Sequence, residues 1–270
     1  MRELTQMVDK ISAFILDMDG VLYLGETPIK GAAETIRWLR KRGKRIVFTT
    51  NSSAETRRAQ ARKLARMGIA ARESEIITSG FVAALYLRKR SPRAKVYMVG
   101  EKGLRLELER AGLKLIPYER AEEATHVVVG IDRKVNNKKL TGALRALLAG
   151  AKFIATNADA TYPTKDGLLP GAGTMIGALE GCSGKKPSVV FGKPSPRMIK
   201  IALGVLHSKP SKAAIVGDRL DTDIIAGKLA GVTTILVLSG VSTRQDIVKF
   251  RRMKIIPDFV IDGIKDLVDR

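Results

Sequence analysis

"FILDMDGVLY", residues 14–23, runs an apolar stretch into two carboxylates, Asp17 and Asp19, then turns at Gly20 and becomes apolar again. The first part reads as a buried strand over 13–16 that ends where the carboxylates begin. The next segments alternate in the same way. A helix is expected over 31–42 with Ile36 and Leu39 inward, a strand over 45–49, and a helix over 55–67 that stops at Gly68. Strands alternating with helices make βα units, and those make a parallel sheet covered by helices on both faces.

The alternation continues with strands over 95–99, 126–129 and 152–155 and helices over 101–110 and 137–148. Residues 157–173 then lose all period and carry Pro163, Gly167, Pro170, Gly171 and Gly173. They read as a long loop, and such loops in compact domains tend to be functional. A third set comes after it: strands over 189–191, 213–216, 233–238 and 258–260, with helices over 196–206 and 221–229. Two α/β modules are expected. The pattern alone leaves open whether one is inserted into the other.

The chain has 270 residues, enough for two small domains, with 45% hydrophobic and 28% charged residues. No apolar run is long enough to span a bilayer. The first ten residues, MRELTQMVDK, lack the apolar core of a secretory signal, so the cytoplasm is the expected compartment. One cysteine, Cys182, cannot form an internal disulfide and reads as a small packing residue; with only two histidines it also excludes a Cys/His zinc centre. The formal net charge of +21 would suit nucleic acid, an anionic surface or anionic small molecules. The basic residues fall at helical spacing and only 5% of residues are aromatic, which favours solvated helix faces over a nucleic-acid surface.

In an open parallel sheet, ligands bind beyond the carboxyl ends of the strands. Four strands here end in chemistry-bearing residues: Asp17 and Asp19 after the first, Thr50 and Asn51 after the second, Lys193 after "VVFG", and Asp218, Asp221 and Asp223 after "AAIVG". Each alone is ordinary, since an Asp commonly caps a helix or makes a turn and Asp221 begins a predicted helix. Together they are not. Clustered carboxylates are costly without a cation, and oxygen ligands favour Mg²⁺. Thr50 and the backbone N–H groups after it suit phosphoryl oxygens, and Lys193 adds a point charge. The set points to Mg²⁺-assisted phosphoryl transfer with a carboxylate nucleophile.

These residues carry a resemblance. "DMDGVLY" at 17–23, "TTNSS" at 49–53, "GKPSP" at 192–196 and "GDRLDTD" at 217–223 resemble, in order, the four motifs of the haloacid dehalogenase (HAD) superfamily phosphatases. The loop "TNADATYPTKDGLLPGAG" at 156–173 is similar to that of the NagD-like or p-nitrophenylphosphatase-like subclass, which carries a large α/β cap. The resemblance implies a doubly wound, Rossmann-like core over 1–78 and 179–270 and an inserted cap over 79–178. It implies Asp17 as nucleophile, forming an aspartyl-phosphate. Asp19 would be the acid and then the base, Gly20 would allow the turn, and Thr50 with the N–H of Asn51 would hold the phosphoryl group. Lys193 would neutralise charge; Asp17, the carbonyl of Asp19 and Asp218 would hold Mg²⁺, with Asp223 in support. Asp19 favours phosphoesters over halides, because a halide leaves without a proton.

In the cap loop, Asn157, Asp159 and Tyr162 are expected to meet the leaving group, though Asp159 could equally serve an Asx-turn. The substrates implied are small phosphomonoesters: sugar, glycerol, glycolate, nucleotide, pyridoxal or aryl phosphates. Subclass relatives often pair through the cap, so the resemblance allows a homodimer there, while the sequence itself leaves the oligomeric state open. Two other readings stand beside this one. A receiver-type signalling domain also forms an aspartyl-phosphate with Mg²⁺, Thr and Lys, but needs no cap. A basic nucleic-acid-binding protein would show salt-dependent retention and no hydrolysis of an aryl phosphate.

Overall fold

The computed structural model describes residues 2–164 and 167–268. Two compact units are present. The first holds the residues up to Thr50, then Gln60–Ile77, then the chain from Lys193; the second holds Asn51–Ala59 and Thr78–Gly192.

The first unit is built on a six-stranded sheet in the order Phe259–Ile261, Thr233–Val237, Ala213–Gly217, Ala13–Asp17, Arg45–Thr50, Ile76–Thr78. Ala13–Asp17 pairs in parallel with Ala213–Gly217 on one side and with Arg45–Thr50 on the other. From this central pair the strand order runs outward in opposite directions. That reversal is where open α/β sheets hold ligands. The central position accounts for the composition of the strand: Ala13, Phe14, Ile15 and Leu16 are all fully buried, because helices cover both faces.

Helix Ala32–Lys41 shows how the flanking layer forms. Ala32, Thr35, Ile36 and Leu39 are its buried residues, at the spacing of one helical face. Burying Ile36 and Leu39 stabilises the layer by about 1.5–3 kcal/mol each. Arg40 and Lys41 in its last turn complement the helix dipole. Several elements went unread in the sequence, among them helices Arg2–Lys10 and Arg244–Arg252 and the two at the passage from residue 76 to 90. Strand Ile76–Thr78 lies at the sheet edge and hands the chain to the second unit. There the Thr78 hydroxyl accepts from the Phe81 N–H at 3.1 Å and caps helix Ser79–Arg90.

The second unit has its own five-stranded sheet, ordered Val189–Val190, Lys152–Ala155, His126–Val129, Lys95–Val99, Lys114–Leu115, with every pairing parallel. Two expectations change here. Val189 pairs with Ile154 and Val190 with Ala155, so this strand joins the second sheet and not the first. Helix Ala172–Ser183 also buries Met175, Ile176 and Leu179 in the second unit's core. Residues 179–192 therefore fall in the second unit, and the boundary expected at 179 lies at Lys193. The stretch read as an aperiodic loop contains a hairpin, Thr161–Thr164 against Gly167–Pro170, with Thr161 opposite Pro170 and Thr164 opposite Gly167. Pro163 and Pro170 argued against strands, yet a two-stranded ribbon leaves each strand an open edge where proline is tolerated.

Cys182 is exposed and not a packing residue. His126 is buried, as a strand residue should be, with Nδ1 hydrogen-bonded to the Thr125 hydroxyl at 2.9 Å. Among the described residues no helix is long and apolar enough to cross a membrane.

Candidate active site

In the first unit, Asp17 closes the central strand and Asp218 follows Gly217 at the end of its neighbour. Because Leu16 pairs with Val216, the two strands end level. Asp223 comes back to the same place from the turn beyond. One carboxylate oxygen each of Asp17, Asp218 and Asp223 lie within 4.8 Å of one another. At that separation two full charges repel by about 3.5 kcal/mol for an effective dielectric constant of about 20.

Lys193 answers part of that charge. Its ammonium, 3% exposed, donates to Asp17 Oδ1 and to Asp223 Oδ1, the latter at 2.5 Å. Burial alone would lower this lysine, and the two carboxylates outweigh it and hold the ammonium above its ordinary range. Three carboxylates and one ammonium still leave two negative charges, the amount a divalent cation cancels. The acids register the deficit. Burial pushes Asp218 up to about 7, with Asp223 adding to the rise and the Val241 N–H opposing it. Asp17 is raised well above the carboxylate range, by burial first, against the pull of Lys193 and with the push of Asp223 and Asp218. Buried, oxygen-only and electron-rich, the cluster fits Mg²⁺.

Asp19 stands apart from this group. Its Oδ1 takes a long 3.5 Å contact from the Gly25 N–H, and burial raises its carboxyl. The turn that carries it is tight: Gly20 N–H donates to the Tyr23 carbonyl at 2.8 Å and Leu22 N–H to the Met18 carbonyl at 2.9 Å. Gly20 takes φ 79°, and a Cβ there would fall 2.3 Å from Asp218 Oδ2. Only glycine satisfies both demands. Beside the turn, Lys63 bridges to Glu26 at 3.0 Å and lies 4.1 Å above the Tyr23 ring.

One supporting segment was missed in the sequence. After strand Thr233–Val237, the Val241 N–H donates to Asp218 Oδ2 at 2.8 Å, and the Ser239 hydroxyl donates to the Gly20 carbonyl at 2.7 Å. A Cβ on Gly240 would fall 2.1 Å from Asp218 Oδ2. The signal was available: "LSGV" is another strand end at the same end of the sheet, and the rule that found Asp17, Thr50 and Asp218 applies to it.

Thr50 ends strand Arg45–Thr50 in the first unit, and the next residue, Asn51, belongs to the second. In the second unit Asn51 and Asn157 both donate amide hydrogens to Asp159. Tyr162 packs against Ala54, Ile131 and Ala172.

Comparison with known proteins gives the same picture. The haloacid dehalogenase-like hydrolase family matches residues 14–114, and a second HAD-hydrolase-like family matches residues 190–267. An acid sugar phosphatase of Staphylococcus epidermidis is 39% identical over 87% of this chain and 89% of its own. The solved p-nitrophenyl phosphatase of Archaeoglobus fulgidus superposes with a TM-score of 0.88 at 40% identity, covering 95% of this chain and 98% of that one. The glycerol phosphate phosphatase of Mycobacterium tuberculosis, solved in complex with magnesium, superposes with a TM-score of 0.89 at 32% identity over 97% of this chain and 77% of that one. Identity at this level over nearly whole chains extends beyond a shared fold, and the chain belongs to the haloacid dehalogenase-like hydrolases.

Proposed function

We propose that this chain is a Mg²⁺-dependent phosphatase that hydrolyses small phosphomonoesters through an aspartyl-phosphate on Asp17. One observation carries the reading: a buried ammonium, Lys193, shared by Asp17 and Asp223 beside Asp218, at the reversal point of a parallel sheet. A purely structural cluster would have no need of two uncompensated negative charges. The three relatives described above are phosphatases by name, which supports the same chemistry.

The chain's own residues supply the steps. The Asp17 carboxylate attacks phosphorus as the bond to the ester oxygen breaks. Asp19, raised by burial and so able to hold a proton, gives that proton to the leaving oxygen. Asp19 as carboxylate then takes a proton from water, whose oxygen attacks phosphorus; the bond to Asp17 breaks and phosphate departs. Thr50 and the N–H of Asn51 hold the phosphoryl oxygens. Lys193 orients Asp17 and favours its ionised form. Asp17, Asp218 and the Asp19 carbonyl would hold Mg²⁺, with Asp223 fixing Lys193 and supporting the shell. When bound, Mg²⁺ supplies charge neutralisation at the phosphoryl oxygens.

The leaving group would be met by the second unit, which we read as the cap. Sugar, glycerol, glycolate, nucleotide, pyridoxal and aryl phosphates are the candidate esters. Pairing through the cap and a cytoplasmic setting accompany this reading, and sedimentation of the purified protein tests the first.

The test is a panel of these esters with p-nitrophenyl phosphate, assayed for phosphate release. Mg²⁺ should support turnover, EDTA should abolish it, and Asp17→Asn should lose essentially all of it while folding normally, since an amide cannot form the acyl-phosphate. Near-wild-type release by Asp17→Asn, or full turnover in excess chelator, would overturn the mechanism.

A further inference from the structure

In the second unit, Asn51, Ser53, Ser79, Thr156, Asn157 and Asp159 form one hydrogen-bonded group of polar residues. Asn51 is the hub. Its Nδ2 donates to both oxygens of Asp159, at 3.2 and 3.1 Å. Asn157 Nδ2 donates to Oδ2 of the same carboxylate at 2.9 Å. Asn157 Oδ1 accepts from the Thr156 hydroxyl at 3.1 Å, and Thr156 shares a 3.3 Å hydrogen bond with Ser53. The backbone carbonyl of Asn51 accepts from the Ser79 hydroxyl at 2.5 Å. Gly192 fits tightly against the hub: a Cβ there would lie 2.7 Å from Asn51 Oδ1 and 2.8 Å from Asn157 Cβ. Ser53, Thr156 and Asn157 are buried.

This arrangement changes what Asp159 can do. A side chain meant to greet variable leaving groups should present open acceptors. Here both carboxylate oxygens are taken by amides of the same unit, in charge-assisted bonds that are stronger and more directional than neutral ones. The Asp159 backbone is fixed as well, its carbonyl accepting from the Gly173 N–H at 2.9 Å. Asn51 is thus held at its amide by Asp159 and at its carbonyl by Ser79. A residue held at its side chain and at its carbonyl has its Cα and backbone nitrogen held in place, and that nitrogen carries the N–H assigned to the phosphoryl oxygens.

We infer that Asp159 is a positioning residue for phosphate recognition: it fixes Asn51, and with it the phosphoryl-binding N–H, and does not select the leaving group. The inference rests on the phosphatase reading. It has a consequence that leaving-group contact lacks. Inorganic phosphate has no leaving group, yet its binding should depend on Asp159 as much as that of any ester.

The experiment compares wild type, Asp159→Ala and Asp159→Asn at saturating Mg²⁺. It measures kcat/KM for a panel of aryl and alkyl phosphates and the competitive inhibition constant of inorganic phosphate. Asp159→Ala should weaken inorganic phosphate by about ten-fold, the order of one charge-assisted hydrogen bond, and lower kcat/KM for every ester by a similar factor, preserving their rank. Asp159→Asn keeps an acceptor for Asn51 Nδ2 and should recover most of the loss. Ester ratios that shift while phosphate inhibition stays constant would overturn the inference in favour of leaving-group contact. Unchanged phosphate inhibition in both variants would also overturn it. A folding defect in Asp159→Ala leaves Asp159→Asn and Ser79→Ala to decide: a Ser79→Ala protein with weakened phosphate inhibition and unaltered ester ranking supports the pinned Asn51, and one with unchanged phosphate inhibition refutes it. Failure of the wild type to hydrolyse any ester would refute the phosphatase reading itself, a separate result.

Discussion

Replacing Lys193 by methionine should expose the electrostatic cost of the site directly. The ammonium is 3% exposed and neutralises Asp17 and Asp223, themselves 13% and 1% exposed. Removing one partner of a buried pair costs about 3–5 kcal/mol. Burial already raises Asp17 well above the carboxylate range in the metal-free wild type, so a proton there is common to wild type and variant and cancels in the comparison. What the variant loses is the ammonium that Asp223 and Asp17 share. The destabilisation of Lys193→Met relative to wild type should therefore be about 3–5 kcal/mol at pH 7. Trp38, the only tryptophan, lies on helix Ala32–Lys41 of the first unit, so its fluorescence during urea unfolding in EDTA reports that unit. A deficit below about 1 kcal/mol at pH 7 would refute the view that Lys193 neutralises buried carboxylates.

The same geometry sets two more outcomes. Asp19→Asn should slow alkyl phosphates far more than p-nitrophenyl phosphate, because a nitrophenolate leaves without a proton; equal losses in kcat for both would remove Asp19 as the acid. Gly240→Ala drives a methyl to 2.1 Å from Asp218 Oδ2 and should raise the Mg²⁺ concentration for half-maximal activity by about ten-fold or more, the scale of a lost supporting contact at a metal ligand, with Trp38 still reporting a folded first unit. An unchanged Mg²⁺ requirement would show that the Ser239–Val241 segment does not shape the metal site.

The sequence was most legible where one strand ends in several polar groups. Asp17, Thr50, Lys193 and Asp218 each come after an apolar run, and the first unit does bring Asp17, Lys193, Asp218 and Asp223 together. Local pattern could not say which sheet a short apolar run joins. "VVF" at 189–191 reads the same in either unit, and only its pairing with Ile154 and Ala155 decides. The hairpin within 157–173 was hidden for a different reason: one of its strands has no buried face to impose alternation, since all four residues of Gly167–Pro170 are exposed. Helix Ser79–Arg90 was hidden because its buried residues include Ser79, Gly80, Ala83 and Ala84, which give no hydrophobic stripe. The Asp159 pairing was invisible because Asn51 lies 108 positions away in the chain.

The charge of the whole chain and the charge of its site have opposite signs, and that opposition has a physical consequence. A net +21 draws phosphate esters toward the protein from a distance, an effect that salt screens beyond about 8–10 Å. At contact the bare cluster of Asp17, Asp218 and Asp223, with Lys193 the one ammonium bridging two of them, would repel the same anion. The long-range field cannot reverse this, because the repulsion acts within hydrogen-bonding distance and out of reach of the screened surface charges. A cation among those oxygens does, as do protons held by the raised Asp17 and Asp218 in its absence. Cation and phosphate must therefore favour each other's binding, and linkage requires the coupling to be equal in both directions. The arrangement also gives Lys193 a task distinct from that of the metal. It is covalently part of the chain and pulls Asp17 toward its ionised form against the effect of burial, so the proton's hold on the nucleophile is already weakened when the cation arrives.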